Sequence, residues 1–231
     1  MGLLFDGNQS VLTFDNNSIW NWQPGEIIEV IFRSSKDYSD QIDGGVILRH
    51  GTDGLGHRGW DIRIRGGAAI SPIRTRVWDE DFNWMQSHSP VEGPAYNDGN
   101  WHHVISKYWY ASGAYRLQMW VDGVNIGADS EVTFGGTEEN IGLVIGGQTV
   151  SRLDGDIALI RKTTSTDESF IRSRSFAGKR LASPSPTDIF YIPCREGTGT
   201  SVREWKNNLI SNAIDTSHIF FRNEPVVKGG G

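Results

Sequence analysis

An all-β fold of short antiparallel strands is what this 231-residue chain predicts, and three features carry the prediction. Its apolar runs are short and end in Gly, Asp or Asn, the punctuation of strands joined by tight turns. The stretch GWDIRIRGG, beginning at Gly59, alternates cleanly: Trp60, Ile62 and Ile64 face one way, Asp61, Arg63 and Arg65 the other. That is the pattern of a half-buried antiparallel strand. The 28 Gly and eight Pro suit many turns and few helices. At this length one large domain is expected, and nine Trp supply ample volume for its core.

Taken in order, FDGNQSVLTF reads as a strand, a turn at Asp6-Gly7-Asn8 and a second strand. Ile27 to Arg33 is strongly β-prone, with Ile28, Val30 and Phe32 on one face. A strand at Val46 to His50 follows the Gly44-Gly45 break, and the alternating segment comes next. From Ala68 to Gly99 the pattern loosens around Pro72, Pro90 and Pro94. The expectation there is a strand near Ile73 to Trp78, then an elaborated surface loop.

Trp101 to Asp122 reads as a hairpin turning at Ser112-Gly113. This turn pairs Tyr110 with Tyr115, Tyr108 with Leu117 and Val104 with Val121. Side chains alternate along a strand. One face therefore holds His102, Val104, Ser106, Tyr108, Leu117, Met119 and Val121, and is expected to be core. The other holds Trp101, His103, Ile105, Lys107, Trp109, Arg116, Gln118 and Trp120, a mixed aromatic and polar set.

Beyond LDGDIALIRK, the capping box Ser165-Thr166-Asp167-Glu168 predicts one helix, from about Thr166 to Phe176, ending at Gly178. LASPSPTD is a short linker. The strand Asp188 to Ile192 is apolar on both sides, Phe190 and Ile192 against Ile189 and Tyr191, as an interior strand would be. Residues 1–223 are thus expected to form a single domain, with 188–205 completing it and 224–231 a solvated or partner-bound tail.

Four short motifs add a family resemblance. They are WHHV (Trp101 to Val104), WVDG (Trp120 to Gly123), IGG (Ile145 to Gly147) and LDGDIALI (Leu153 to Ile160). Their order and spacing resemble the laminin-G-like, concanavalin-A-like lectin and glucanase jelly rolls, pentraxin-like members included. The resemblance implies a two-sheet antiparallel jelly-roll sandwich that serves recognition more often than chemistry. It also makes DIFYIPCREGTGTSVREW an opening phrase of such a fold, here displaced behind the predicted helix.

The candidate chemistry is sparse. Glucanases of this fold carry a Glu-x-Asp-x-Glu strand that sets acid and nucleophile on one face, and no such string occurs. Asp79 and Asp81 are the nearest approach, without a third partner. His102 and His103 are adjacent on a strand, so they point to opposite faces and cannot hold one ion. The expected arrangement is one buried histidine and one on the sheet surface. If calcium is bound, as jelly rolls of this type often do, Asp6, Asn8, Asp154 and Asp156 are the candidate oxygen ligands. Turn-shaping is the alternative role for the same residues. For a glycan, the candidate contacts are Trp101, Trp109, Arg116, Gln118 and Trp120. Flat rings would meet the C–H faces of a sugar and the polar groups its hydroxyls.

The net charge of −6 argues against a grip on phosphate backbones, so no nucleic-acid partner is expected. No run approaches the roughly 18 apolar residues of a membrane span. One cysteine, Cys194, permits no intrachain disulfide. The start MGLLFDGNQS lacks the basic and apolar stretches of a secretory signal, so synthesis and folding in a reducing cytosol are expected. The reading that follows is a non-enzymatic bacteriophage virion component: capsid decoration, head-fibre or tail-associated. Its partners would be other virion proteins or further copies of itself, with a cell-surface glycan if it serves adhesion. The alternatives are a stand-alone carbohydrate-binding module and a divergent glycoside hydrolase.

Overall fold

The computed structural model describes residues 2–7, 11–41, 44–51, 58–66, 72–79, 81, 83–88, 94–126, 130–132, 141–148, 151–164, 184–194, 201–213 and 219–222. In chain order the first strands are β1 (Gly2–Asp6), β2 (Leu12–Thr13), β3 (Glu26–Ser34), β4 (Gly45–His50), β5 (Gly59–Ile64), β6 (Ile73–Trp78) and β7 (Trp84–His88). Next are β8 (His102–Ala111), β9 (Ala114–Val121), β10 (Val124–Asn125), β11 (Ser130–Val132) and β12 (Leu143–Ile145). The short β13 (Gly147–Gln148) and β14 (Ser151–Arg152) lead into the long β15 (Asp154–Thr163). The last are β16 (Asp188–Ile192), β17 (Arg203–Glu204), β18 (Leu209–Ile210), β19 (Asn212–Ala213) and β20 (Ile219–Arg222). The predicted helix at Thr166–Phe176 lies outside the described residues.

Two large sheets form the sandwich that the sequence predicted. The first runs β10-β9-β8-β3-β15-β1-β20, with β11 on β9 and β16 on β15. The second runs β19-β2-β12-β4-β5-β6-β7, with β14 beside β4. One hydrophobic cluster joins their inner faces, drawing Val30, Val104 and Leu117 from the first sheet and Leu48, Ile62 and Val77 from the second. Two edge-on indole and phenol contacts cross the core, Trp22 to Trp60 at 5.8 Å and Trp22 to Tyr108 at 5.7 Å.

The hairpin has the predicted register, Val104 with Val121, Tyr108 with Leu117 and Tyr110 with Tyr115. Ser112 and Gly113 both take positive φ, 53° and 84°. That left-handed pair gives the turn the twist that the two strands need. The inner face of the hairpin is buried as expected, including Leu117 and Met119.

The tail enters both sheets. β16 pairs along the second half of β15, from Ile160 to Thr163, while β1 pairs along the first half. β20 pairs with β1, Gly2 opposite Arg222, and β19 pairs with β2.

Two expectations need correction. The elaborated loop after Trp78 contains a strand, β7, paired in register along β6 from Arg74–His88 to Trp78–Trp84. Its sequence WMQSH has no β-branched residue, so only the pairing partner reveals it. His103 is not on the surface: it is 3% exposed, because its face of the first sheet is covered.

Candidate functional site

On the outer face of the hairpin, Trp109 lies opposite Arg116 and Lys107 opposite Gln118. The Lys107 ammonium sits 5.0 Å from the centroid of the half-buried Trp109 ring. Tyr110, 56% exposed, meets the Tyr115 ring at 4.8 Å in a tilted contact beside the turn. Trp109, Arg116 and Gln118 therefore converge.

Trp120 and Trp101 do not join them. Trp120 is buried with Ile27 and Ile105. Trp101 packs on the cluster of Ile31, Leu159 and Tyr191, with the Arg33 guanidinium 4.9 Å above its ring. Eight positions separate Trp101 from Trp109, roughly 26 Å along an extended strand. One small sugar cannot stack on both.

Between these clusters the outer face is polar and covered. Glu29 accepts hydrogen bonds from His103 Nε2 at 2.8 Å and from Arg161 at 2.6 and 2.8 Å. Arg161 also lies 3.6 Å from Asp188. Burial alone would raise the Glu29 pKa, but the hydrogen bonds and charges of His103 and Arg161 outweigh it and the net shift is downward. His102 points the other way, its two ring nitrogens 2.9 and 3.0 Å from Asp122 and Asp98. Burial opposes charge on this imidazole, yet the two carboxylates raise its pKa above the ordinary value. The two histidines thus serve separate networks, as their adjacency requires.

Asp79 shapes a turn. Its carboxylate accepts from the backbone N–H groups of Asp81 and Asn83 at 3.0 and 2.8 Å, and from the Asn83 amide at 3.1 Å. The same geometry closes the β6–β7 hairpin and keeps the Asp79 carboxylate within it.

Of the calcium candidates, Asp6 and Asp154 face one another across β1 and β15. Asp156 is held by Arg33 at 2.7 Å. The Asp154 carbonyl accepts from Ser34 at 2.6 Å, and its N–H donates to the Tyr38 hydroxyl at 2.9 Å. Burial pushes that phenol up to about 12. Asn8 lies outside the described residues. Among the described residues no three His, Cys, Asp or Glu side chains converge as a metal site.

A set that the sequence reading passed over occupies the outer face of the second sheet. Arg49, Asp61, Arg76 and Gln86 lie opposite one another across β4, β5, β6 and β7. In the adjacent row are Val46, Arg63, Arg74 and His88. The alternation of β5 did signal that Asp61 and Arg63 share the outward face. The neighbours that complete the rows come from distant segments.

No family model matches the chain, and no curated protein matches it. Solved structures do resemble it. The binding domain of Paraclostridial Mosquitocidal Protein 1 is 16% identical at a TM-score of 0.50, over 75% of this chain and 42% of that one. The binding domain of botulinum neurotoxin DC, solved in complex with SialylT, is 13% identical at 0.50, over 74% and 41%. Domain 4 of AbnA, a GH43 extracellular arabinanase from Geobacillus stearothermophilus in complex with arabinotriose, is 13% identical at 0.50, over 75% and 76%. The chain spans about two-fifths of the length of each of these two toxin domains. At such low identity the likeness is one of fold: a two-sheet β-sandwich of the kind found in these binding domains.

Proposed function

We propose that this chain is a non-catalytic glycan-recognition domain that holds saccharide against the outer end of the β8–β9 hairpin. The observation that carries the reading is the convergence of Trp109 with Lys107, Arg116 and Gln118 on one half-open sheet face. An indole offers a flat apolar surface, and the polar groups beside it fix orientation, the usual division of labour in a small-ligand site. The fold neighbours solved with arabinotriose and SialylT support the same reading. So does Asp79, whose carboxylate is engaged in its own turn.

Binding should be measured by calorimetry and tryptophan fluorescence against a panel of neutral oligosaccharides, arabinotriose included. Trp109→Ala should weaken binding about tenfold or more, as loss of an aromatic anchor does. Unchanged affinity in that variant would remove the hairpin from the site.

For its setting we infer a bacteriophage virion, as capsid decoration, head-fibre or tail-associated protein, with virion proteins or further copies as neighbours. The single cysteine, Cys194, is buried and leaves no intrachain disulfide, as suits a protein that folds in a reducing cytosol. Exposed Trp205 and Ile210 offer apolar contacts to such neighbours. Sedimentation of the purified protein tests self-association; a monomer at all concentrations would argue against further copies.

A further inference from the structure

The outer face of the second sheet carries a chemistry that the hairpin reading leaves unused. A protein of net charge −6 gathers Arg49, Arg63, Arg74 and Arg76 on three adjacent strands around Asp61. Arg152 of β14 adds a further guanidinium beside Val46. Among the described residues of these rows, Asp61 is the one carboxylate.

Asp61 is already engaged. Arg63 donates to its Oδ2, and Arg76 donates to the same oxygen at 2.6 Å. Burial would raise its pKa, but Arg63, Arg76 and Arg74 together hold it far below the usual carboxylate range. Trp78 braces the lattice, with the Arg76 and Arg49 guanidinium groups 4.8 and 5.3 Å from its ring. The ring can lie there because its neighbour is Gly59, where a Cβ would meet it at 2.6 Å.

Arg74 is the odd member. Its neighbours are Arg63, Arg65 and Arg76, with Asp61 the opposing charge, and its buried Nε finds no acceptor among the described residues. Burial, reinforced by those like charges against Asp61, pushes its pKa down to about 10. Beyond Arg74 the face opens: His88 lies opposite it, Gln86 is next along β7, and then Trp84, 48% exposed. Such crowding of like charge is costly unless an anion completes it.

We propose that this face binds a carboxylate-bearing saccharide, with the acid held by Arg74 and Arg76 and the sugar ring set on Trp84. A guanidinium presents a planar fork that fits a carboxylate through two parallel hydrogen bonds. Trp84 and Gln86 are two positions apart on one face, about 7 Å along the strand, which suits a ring stacked on the one and hydrogen-bonded to the other. A nucleic acid fits less well, since the positive charge is confined to a few rows of a negatively charged protein. The inference rests on the glycan-recognition reading but uses a different face and a charged ligand.

The test is calorimetry at low salt with two acidic probes, trigalacturonate and a sialylated trisaccharide, each beside its neutral methyl ester. At least one acid should bind, and its ester about tenfold more weakly or not at all. Arg74→Gln should weaken acid binding by a similar factor while the Tm holds or rises, because like-charge crowding is relieved. Trp84→Ala should weaken it as well, and Trp109→Ala should not. Equal binding of acid and ester, or full affinity in Arg74→Gln, would overturn the proposal. So would a single-stranded oligonucleotide that binds this face more tightly than either acid. Neutral saccharides bound through Trp109, with neither acid bound, would overturn this inference alone. No saccharide bound at all would overturn both readings.

Discussion

A chain truncated before Asp188 is expected to lose its cooperative unfolding transition and to become molten or insoluble. Three edges open at once: the second half of β15 loses β16, β1 loses β20 and β2 loses β19. Unpaired backbone on strands this apolar is an aggregation template. The core also loses Phe190, Ile192, Cys194 and Val202, all buried in the main cluster. Trp20, whose ring meets Phe190 at 5.1 Å, would face a void. Large buried side chains cost about 2–5 kcal/mol each when removed, against a total stability of about 5–15 kcal/mol. Near-ultraviolet circular dichroism and calorimetry would show a flat spectrum and no peak. A truncated protein with unchanged Tm would show instead that the last strands are an appendage.

Glu29→Gln is expected to cost about 3–5 kcal/mol. The variant keeps the shape and one acceptor oxygen but removes the negative charge between His103 and Arg161, which are 3% and 5% exposed. Arg161 would then retain Asp188 at 3.6 Å and the Tyr191 ring at 5.9 Å. In a domain of this size such a loss lowers Tm by about 6–20 °C. The pH dependence has a definite sign. The Glu29 pKa is lowered on folding, so its contribution is complete above the ordinary 4.5 and is lost as pH falls through the folded value. The gap between wild type and variant should therefore narrow below about pH 4.5 in thermal melts. A variant melting within about one degree of wild type at pH 7 would mean the pair contributes nothing net, as some buried ion pairs do.

What the sequence by itself determined was local and periodic. Alternation in β3, β5 and the β8–β9 hairpin assigned Val30, Ile62, Val104 and Leu117 to the interior, because a strand turns every second side chain to the same face. Ser112-Gly113 set the hairpin register, since a two-residue turn with two positive φ values leaves no other pairing. The adjacency of His102 and His103 sufficed to separate them into two networks. The tertiary structure alone decided what lies beside each strand and what covers each sheet. β7 has no β-branched residue, and is a strand because β6 pairs with it. Trp120 is buried and Trp109 half open, although both lie on one face of one hairpin, because cover depends on segments remote in sequence. The arginine rows are the clearest case. Arg49, Arg63, Arg74 and Gln86 are separated by eleven or more positions, and each reads singly as a solvated outward residue. Only the order β4-β5-β6-β7 and its register set three guanidinium groups and the Gln86 amide on neighbouring strands of one face, where Coulomb energy between the cations is stronger than in water. Periodicity tells a side chain which way to point; sheet order, a long-range property of the whole chain, tells it whom it meets.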